Sequence, residues 1–335
     1  MKVETQLEIV ATGAVSPGGL GAEPLLAEAP WPSTPMPLLY SPGLAVDCAP
    51  IGTDIPMPRH RRLRRTGRIS RFMVAAAEDA VSRLDEPLNT KRLGVVCALS
   101  LGGIEYCHRF FQQVVKDGQH YASPILFPDT VFNSPASHMA ACLELEGPSY
   151  SLIGDESVWV QAMLTAHTWL TVGTVDQVLV VAATELESVS LDGLTTIGWW
   201  NGSNRTFRPT EGAAAMILQA PCGKGPRIES LQLGFDYGSP QALRKLLPEI
   251  RDELPADARY LDTGRDSWTA AMEKKCLSGF ERAEANVLPS LGGAWSASSA
   301  WYTLRLLETM ETGHRYFQPT WGTMSSYGGL ALRKG

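Results

Sequence analysis

The stretch Gly147–Ser157, "GPSYSLIGDES", passes from a Gly-Pro turn through a short apolar strand into a helix that begins "VWVQAMLTAHTWL". A tight strand-to-helix turn presents its side chains at a helix N-terminus, where free N–H groups and the helix dipole favour negative charge. Such a turn suits a catalytic nucleophile, but this one holds Asp155, Glu156 and Ser157. Taken alone, two acids at a helix start are explained by that electrostatic preference. Ser157 lacks the Gly-x-Ser-x-Gly frame and the neighbouring base of a nucleophilic serine.

Outward from this turn, strands and helices alternate, as in an α/β fold with covered sheets. "QLEIVATGAV" and "RLGVVCAL" read as strands around the helix "SRFMVAAAEDAVSRL". Then come the helix "NSPASHMAACLEL", the strand "VDQVLVVAATE" and the small-residue strand "TEGAAAMILQA". After Pro221 the same vocabulary recurs in shorter form: strand "RIESLQLGFD", helix "SPQALRKLLPEIRDEL", strand "ARYLDTG", helix "SWTAAMEKKCLSGFERA", helix "SSAWYTLRLLETMETG" and closing strand "GGLALRKG". Similarity between the halves is too weak to establish a repeat and is compatible with a duplicated α/β unit. The Pro-rich residues 29–58 are expected to be an irregular extended surface segment.

The chain has 335 residues, 44% of them hydrophobic, enough for a large core in one domain or two fused halves. A formal charge of −6 speaks against general nucleic-acid binding, which needs a basic face. Cys48, Cys97, Cys107, Cys142, Cys222 and Cys276 are scattered, without the spacings of a zinc site or a disulfide framework. The histidines show no metal-ligand spacing either, so no metal and no cofactor is expected. The N-terminus lacks the layout of a signal peptide, and no apolar run approaches the roughly 20 residues of a membrane span. The expected location is the cytoplasm. The exception to the acidic balance is "PRHRRLRRTGRISR", residues 58–71, with Arg59, Arg61, Arg62, Arg64, Arg65 and Arg68. It reads as a solvated basic face or as a docking surface for an acidic partner.

Seven segments carry a resemblance to the β-ketoacyl synthase family of the thiolase fold, along nearly the whole chain: "IVATGAVSPGG", "RISRFMVAAAEDAV", "FPDTVFNSPASHMAACLELEGPSYSL", "TVGTVDQVLVVAATE", "FRPTEGAAAMIL", "METGHRYFQPT" and "SSYGGLAL". Each string is weak; their order and spacing are specific. The resemblance implies two fused α/β halves in a five-layer αβαβα sandwich that usually dimerises. The N-terminal half would be residues 1–220 and a shortened C-terminal half residues 221–335.

In that family a cysteine at the helix N-terminus takes the acyl chain, and two histidines help decarboxylate a malonyl unit on a carrier protein. Matching "GPSYSLIGDES" to the family's Gly-Pro-Ser approach puts Glu156 at the cysteine. "LDTGRDS" puts Thr263 at the first histidine, followed by Gly264, with Glu273 at a structural glutamate. "LPSLGGAWSASSA" puts Gly293 at the second histidine and Leu288 at a lysine. With these residues the chain lacks the acyl acceptor and the enolate-stabilising donors of Claisen condensation.

The resemblance therefore implies a non-condensing homologue, like the chain-length-factor subunits that pair with an active ketosynthase in polyketide or fatty-acid-type biosynthesis. Those subunits usually carry glutamine at the position of Glu156. Two alternatives stand beside this: a malonyl-carrier decarboxylase or other acyl-processing enzyme using Glu156 or Asp155, and a stand-alone ligand-binding or scaffold protein. Expected partners are a catalytic ketosynthase in a heterodimer, or a second copy in a homodimer, and an acyl carrier protein at the arginine stretch. Asp155 is expected to line the pocket, and Tyr327 stands at the family's gating phenylalanine. The paired Trp199 and Trp200 read as interface residues.

Overall fold

The computed structural model describes residues 1–196, 208–223, 225–237, 239–263, 267–284, 290–323 and 326–335. The sequence positions Trp199, Trp200, Gly264 and Leu288 lie outside the described residues. The chain opens with the long strand β1 (Lys2–Ser16), which turns back through β2 (Gly19–Leu20). A hairpin follows, β3 (Thr34–Pro37) and β4 (Ala45–Cys48).

The rest of the first half runs α1 (Arg68–Val81), β5 (Leu93–Leu99), α2 (Ile104–Asp117), α3 (Ser134–Cys142), β6 (Ser149–Ile153), α4 (Val158–Thr171), β7 (Gln177–Thr184), α5 (Ser188–Thr196) and β8 (Gly212–Gln219). The second half runs β9 (Arg227–Asp236), α6 (Pro240–Asp252), β10 (Ala258–Leu261), α7 (Ser267–Cys276), β11 (Arg282–Glu284), α8 (Ser296–Thr309), β12 (Arg315–Trp321) and β13 (Ser326–Arg333).

The duplication that sequence only allowed is plain in the sheet order. The first half pairs as β6-β5-β7-β8-β1 and the second as β11-β10-β12-β13-β9. Within each set of five the path is third, second, fourth, fifth, first. The first three strands of each path are parallel, and the last two pairings are antiparallel. The two sets join edge to edge, because β1 pairs antiparallel with β9 at Val3↔Leu231 and Leu7↔Ile228.

Strand alternation sorts the side chains into layers. On β5, Val95, Cys97 and Leu99 pack with α1 and Met139 of α3, whereas Val96 and Ala98 face α4 and α8. On the other sheet, Ile228, Leu231, Leu330 and Leu332 share that central cluster, and Phe317 and Ala331 pack outward with α6 and α7. The result is helix, sheet, helix pair, sheet, helix: the five-layer α/β sandwich.

Because α4 and α8 lie between two sheets, their polar groups must find partners inside the protein. Trp159 Nε1 donates to Thr303 Oγ1 at 2.9 Å, Thr303 Oγ1 to Gln318 Oε1 at 2.8 Å, and Gln318 Nε2 to the Ser299 carbonyl at 2.7 Å. This closed network ties α4, α8 and β12 together.

One sequence expectation needs correction. Residues 29–58 are not simply irregular surface: they include the β3–β4 hairpin and bury Trp31, Leu38, Cys48, Ala49 and Ile51. A two-stranded ribbon leaves outward N–H positions unpaired, so Pro35 and Pro37 cost no ladder bond. Trp31 meets Trp301 of α8 edge-on, with centroids 5.5 Å apart, and pins the segment to the body. Among the described residues no helix is long and apolar enough to cross a membrane.

Thr303→Val keeps the shape of the side chain and strands the Trp159 N–H and Gln318 Oε1. Urea unfolding should show a loss of about 2–3 kcal/mol with an unchanged far-ultraviolet spectrum. A loss below about 0.5 kcal/mol would mean the network contributes little.

Candidate functional site

β6 ends at Ile153, and α4 starts at Val158. The intervening acids are buried: Asp155 is 9% and Glu156 7% exposed, a costly place for carboxylates unless hydrogen-bonded. Their partners are Ser157 beside them and, from the far end of the chain, Thr323 and Ser326. Thr323 donates its backbone N–H to Glu156 Oε2 at 2.6 Å and its hydroxyl to Glu156 Oε1. Asp155 Oδ1 accepts from Ser157 N at 3.1 Å, Ser157 Oγ at 2.9 Å and Ser326 Oγ at 2.6 Å, while Oδ2 accepts from Ser326 N at 3.2 Å. Gly322 makes room for this: a Cβ there would lie 2.0 Å from Asp155 Oδ2. Ser299 of α8 donates to the Glu156 carbonyl at 3.0 Å.

Thr263 follows β10 and is buried, and its hydroxyl donates to Glu273 Oε1 at 2.7 Å. Burial pushes the Glu273 carboxyl up to about 8, against the Thr263 hydrogen bond, which favours the charged form. Gly293 precedes α8. Its N–H donates to the Arg208 carbonyl at 2.7 Å, and its own carbonyl accepts from Thr210 N at 3.0 Å, so this loop is tied to the start of β8.

Beside Asp155 lies a cavity of about 250 Å³, lined by Ser100, Leu101, Ile153, Gly154, Asp155, Ser157, Gln161, Trp295 and Ser326. Asp155 belongs to its wall. Glu156, Thr263 and Gly293 do not. Trp295, just ahead of α8, adopts φ 44°, a conformation that a bulky residue rarely takes. Tyr327 is not among the residues that line the cavity. It is fully buried in the second half, its hydroxyl donating to Gln232 Oε1 at 2.9 Å and its ring against Trp321 and Phe235.

The arginines separate into two groups. Arg68 binds the buried carboxylate of Glu211 and the Ile51 carbonyl, and so serves the fold. Arg59, Arg61, Arg62, Arg64 and Arg65 are exposed and form no ion pair among the described residues. Their short 3-10 turn is fixed by buried Leu63, by Arg62 N donating to His60 Nδ1 at 3.1 Å, and by Tyr106 Oη donating to the Arg65 carbonyl at 2.8 Å.

Sequence reading found the acids but missed Thr323, Ser326 and Gly322, which hold them. The signal in the sequence was a hydroxyl-rich stretch, Thr323 to Ser326, after a glycine. Trp295 and Ser100 were also missed.

No family model matches the sequence, and no curated protein matches it. Solved structures do match in fold. The ishigamide ketosynthase/chain length factor aligns with TM-score 0.79 and 17% identity, over 98% of this chain and 99% of the other. A chain of a type II polyketide-synthase complex, an acyl-carrier protein with its ketosynthase bound to the hexaketide, gives TM-score 0.80 at 14% identity, over 99% and 100%. A ketosynthase in complex with its chain length factor from Xenorhabdus doucetiae gives 0.74 at 14%, over 99% and 98%. The chain thus has the thiolase fold, in the form seen in ketosynthase and chain-length-factor proteins.

Glu273 links the site to pH. Its carboxyl titrates near 8 in the folded chain, against an ordinary value of 4.5, so the folded state holds a proton that the unfolded state has lost in between. Its stabilising share is complete below about 4.5 and is lost as pH rises through 8. Melting temperatures at pH 5 and pH 8.5 should fall less for Glu273→Gln than for the wild type. The ceiling is a few kcal/mol, since one pKa unit is about 1.4 kcal/mol. Equal falls would exclude a protonated Glu273.

Proposed function

We propose that this protein is a non-condensing ketosynthase homologue that works as a chain-length-factor-like subunit beside an active, cysteine-bearing ketosynthase. The observation that carries the reading is the state of the helix N-terminus. Where a condensing enzyme needs a free thiolate, this chain has a buried carboxylate whose two oxygens accept hydrogen bonds from Thr323. That engagement also weighs against Glu156 as an acid or base, because a working group must exchange protons with a substrate. We take the two halves to divide after Ala220.

A partner needs a surface, and β6 offers one. It is the outermost strand of the first half, with Tyr150 53% and Ile153 46% exposed. An uncovered apolar edge strand invites pairing with another chain. Phe127, Val131 and Phe132 are further exposed apolar residues. The neighbours that are ketosynthases in complex with a chain length factor support the choice of partner. The five unpaired arginines suit an acidic carrier protein whose arm bears phosphate.

Co-expression with a cysteine-bearing ketosynthase encoded nearby, followed by size-exclusion chromatography, should give a heterodimer. Tyr150→Asp should weaken it by at least about 30-fold, the scale of an interface hot spot. A self-contained homodimer that ignores the partner would sink the proposal.

Carrier docking is tested separately. Reversing Arg61 and Arg64 to Glu should weaken binding of an acidic carrier protein about tenfold or more at low salt, with little effect at high salt. Salt-independent binding equal to wild type would remove the arginine turn from the docking surface.

A further inference from the structure

The cavity beside Asp155 has a one-sided charge. Among the described residues that line it, Asp155 is the only charged side chain, with no arginine, lysine or histidine to balance it. Both of its oxygens accept from backbone N–H groups, Oδ1 from Ser157 and Oδ2 from Ser326, the pattern of an acceptor-only carboxylate. Glu156, next in the chain, is a second buried acid. Two helix N-termini offset part of this, since Ser157 precedes α4 and Trp295 precedes α8, and each terminus carries about half a positive charge. Two carboxylates against about one positive charge leave the site negative.

That balance restricts the ligand. A malonyl carboxylate or a phosphate meets repulsion here and finds no guanidinium in the described wall to hold it. An organic cation finds the opposite. Leu101 and Ile153 give the wall apolar surface, and Trp295, 3% exposed, gives it an aromatic residue. Of the aromatic side chains, tryptophan attracts cations most strongly. Gln161 adds an amide oxygen able to accept from an ammonium N–H. A cavity of about 150 Å³ admits benzene, so one of about 250 Å³ holds a body of that size with an ammonium group attached. Ile153, Gly154 and Gln161 are exposed, which opens the rim to solvent.

We propose that this cavity binds a small organic cation, an amine or quaternary ammonium on an apolar body, with Asp155 as its counter-charge and Trp295 as its aromatic wall. The inference rests on the charge and shape of the cavity and not on the subunit reading.

Isothermal titration calorimetry of the isolated chain at neutral pH, with benzylamine, benzyl alcohol and phenylacetate as probes, tests this without any partner, so its failure is distinct from failure of that reading. Benzylamine should bind at least about tenfold more tightly than the alcohol, and phenylacetate more weakly than either. Asp155→Asn should remove the preference for the amine. Gln161→Lys, at an exposed position on α4, puts a like charge on the rim and should weaken benzylamine about tenfold while keeping the alcohol. No binding of benzylamine at millimolar concentration overturns the proposal, and so does equal binding of amine and alcohol. Unchanged benzylamine affinity in Gln161→Lys overturns it too, whether or not Asp155→Asn folds.

Discussion

Two helices in this protein must be dry on both sides. α4 and α8 lie between the sheets, and the architecture follows from supplying their needs without water. Small side chains let both sheets close on them: Ala162 and Ala166 on α4, Ala297 and Ala300 on α8, all fully buried. Trp159 of α4 and Thr303 of α8 pair across the layer, and Thr303 continues to Gln318 of β12. The helix N-termini are then the hardest groups to satisfy, since their first N–H groups have no partner within the helix. Asp155 answers part of that demand at α4 by accepting from Ser157 N. The carboxylates brought in for the purpose need donors of their own, and these come from the other half of the chain.

That dependence explains what the sequence disclosed and what it hid. Local features were legible. The period of the strands and the helix after Glu156 follow from neighbours in the chain, and so does the lack of a thiol at the turn. In contrast, α2, α5 and β12 were not read, and the helix expected over "SWTAAMEKKCLSGFERA" ends at Cys276, with Arg282–Glu284 forming β11 instead. The partners of the acids were not legible either. Thr323 is 167 residues from Glu156, and Ser326 is 171 from Asp155, so only the closed fold puts them in contact. Arg68 misled for the same reason. In sequence it is one of seven arginines between residues 58 and 71, yet its partner Glu211 lies 143 residues away. The Pro-rich segment misled differently: proline forbids a central strand but not a two-stranded ribbon, and Trp31 supplies an anchor that composition does not reveal.

Tyr327 shows the limit of matching positions by resemblance. A pattern of residues carries over the place in the backbone, at the start of β13, but not the direction of the side chain's interactions. Here the hydroxyl has Gln232 as a buried acceptor, and the ring has Trp321 as a neighbour, with centroids 4.5 Å apart. A phenylalanine at the same position would have no use for Gln232. The second half has thus made the residue part of its own core.

Gly322 carries a consequence of another kind. It has no side chain because Asp155 fills the space one would need, and Thr323, its neighbour, spends both donors on Glu156. The turn is shaped around two carboxylates. A cysteine placed at 156 would be too short to take up what Thr323 offers and would leave the glycine, the threonine and Ser326 still arranged for acids. Installing a thiol here would therefore take coordinated change in two regions nearly half the chain apart, 167 residues between Glu156 and Thr323.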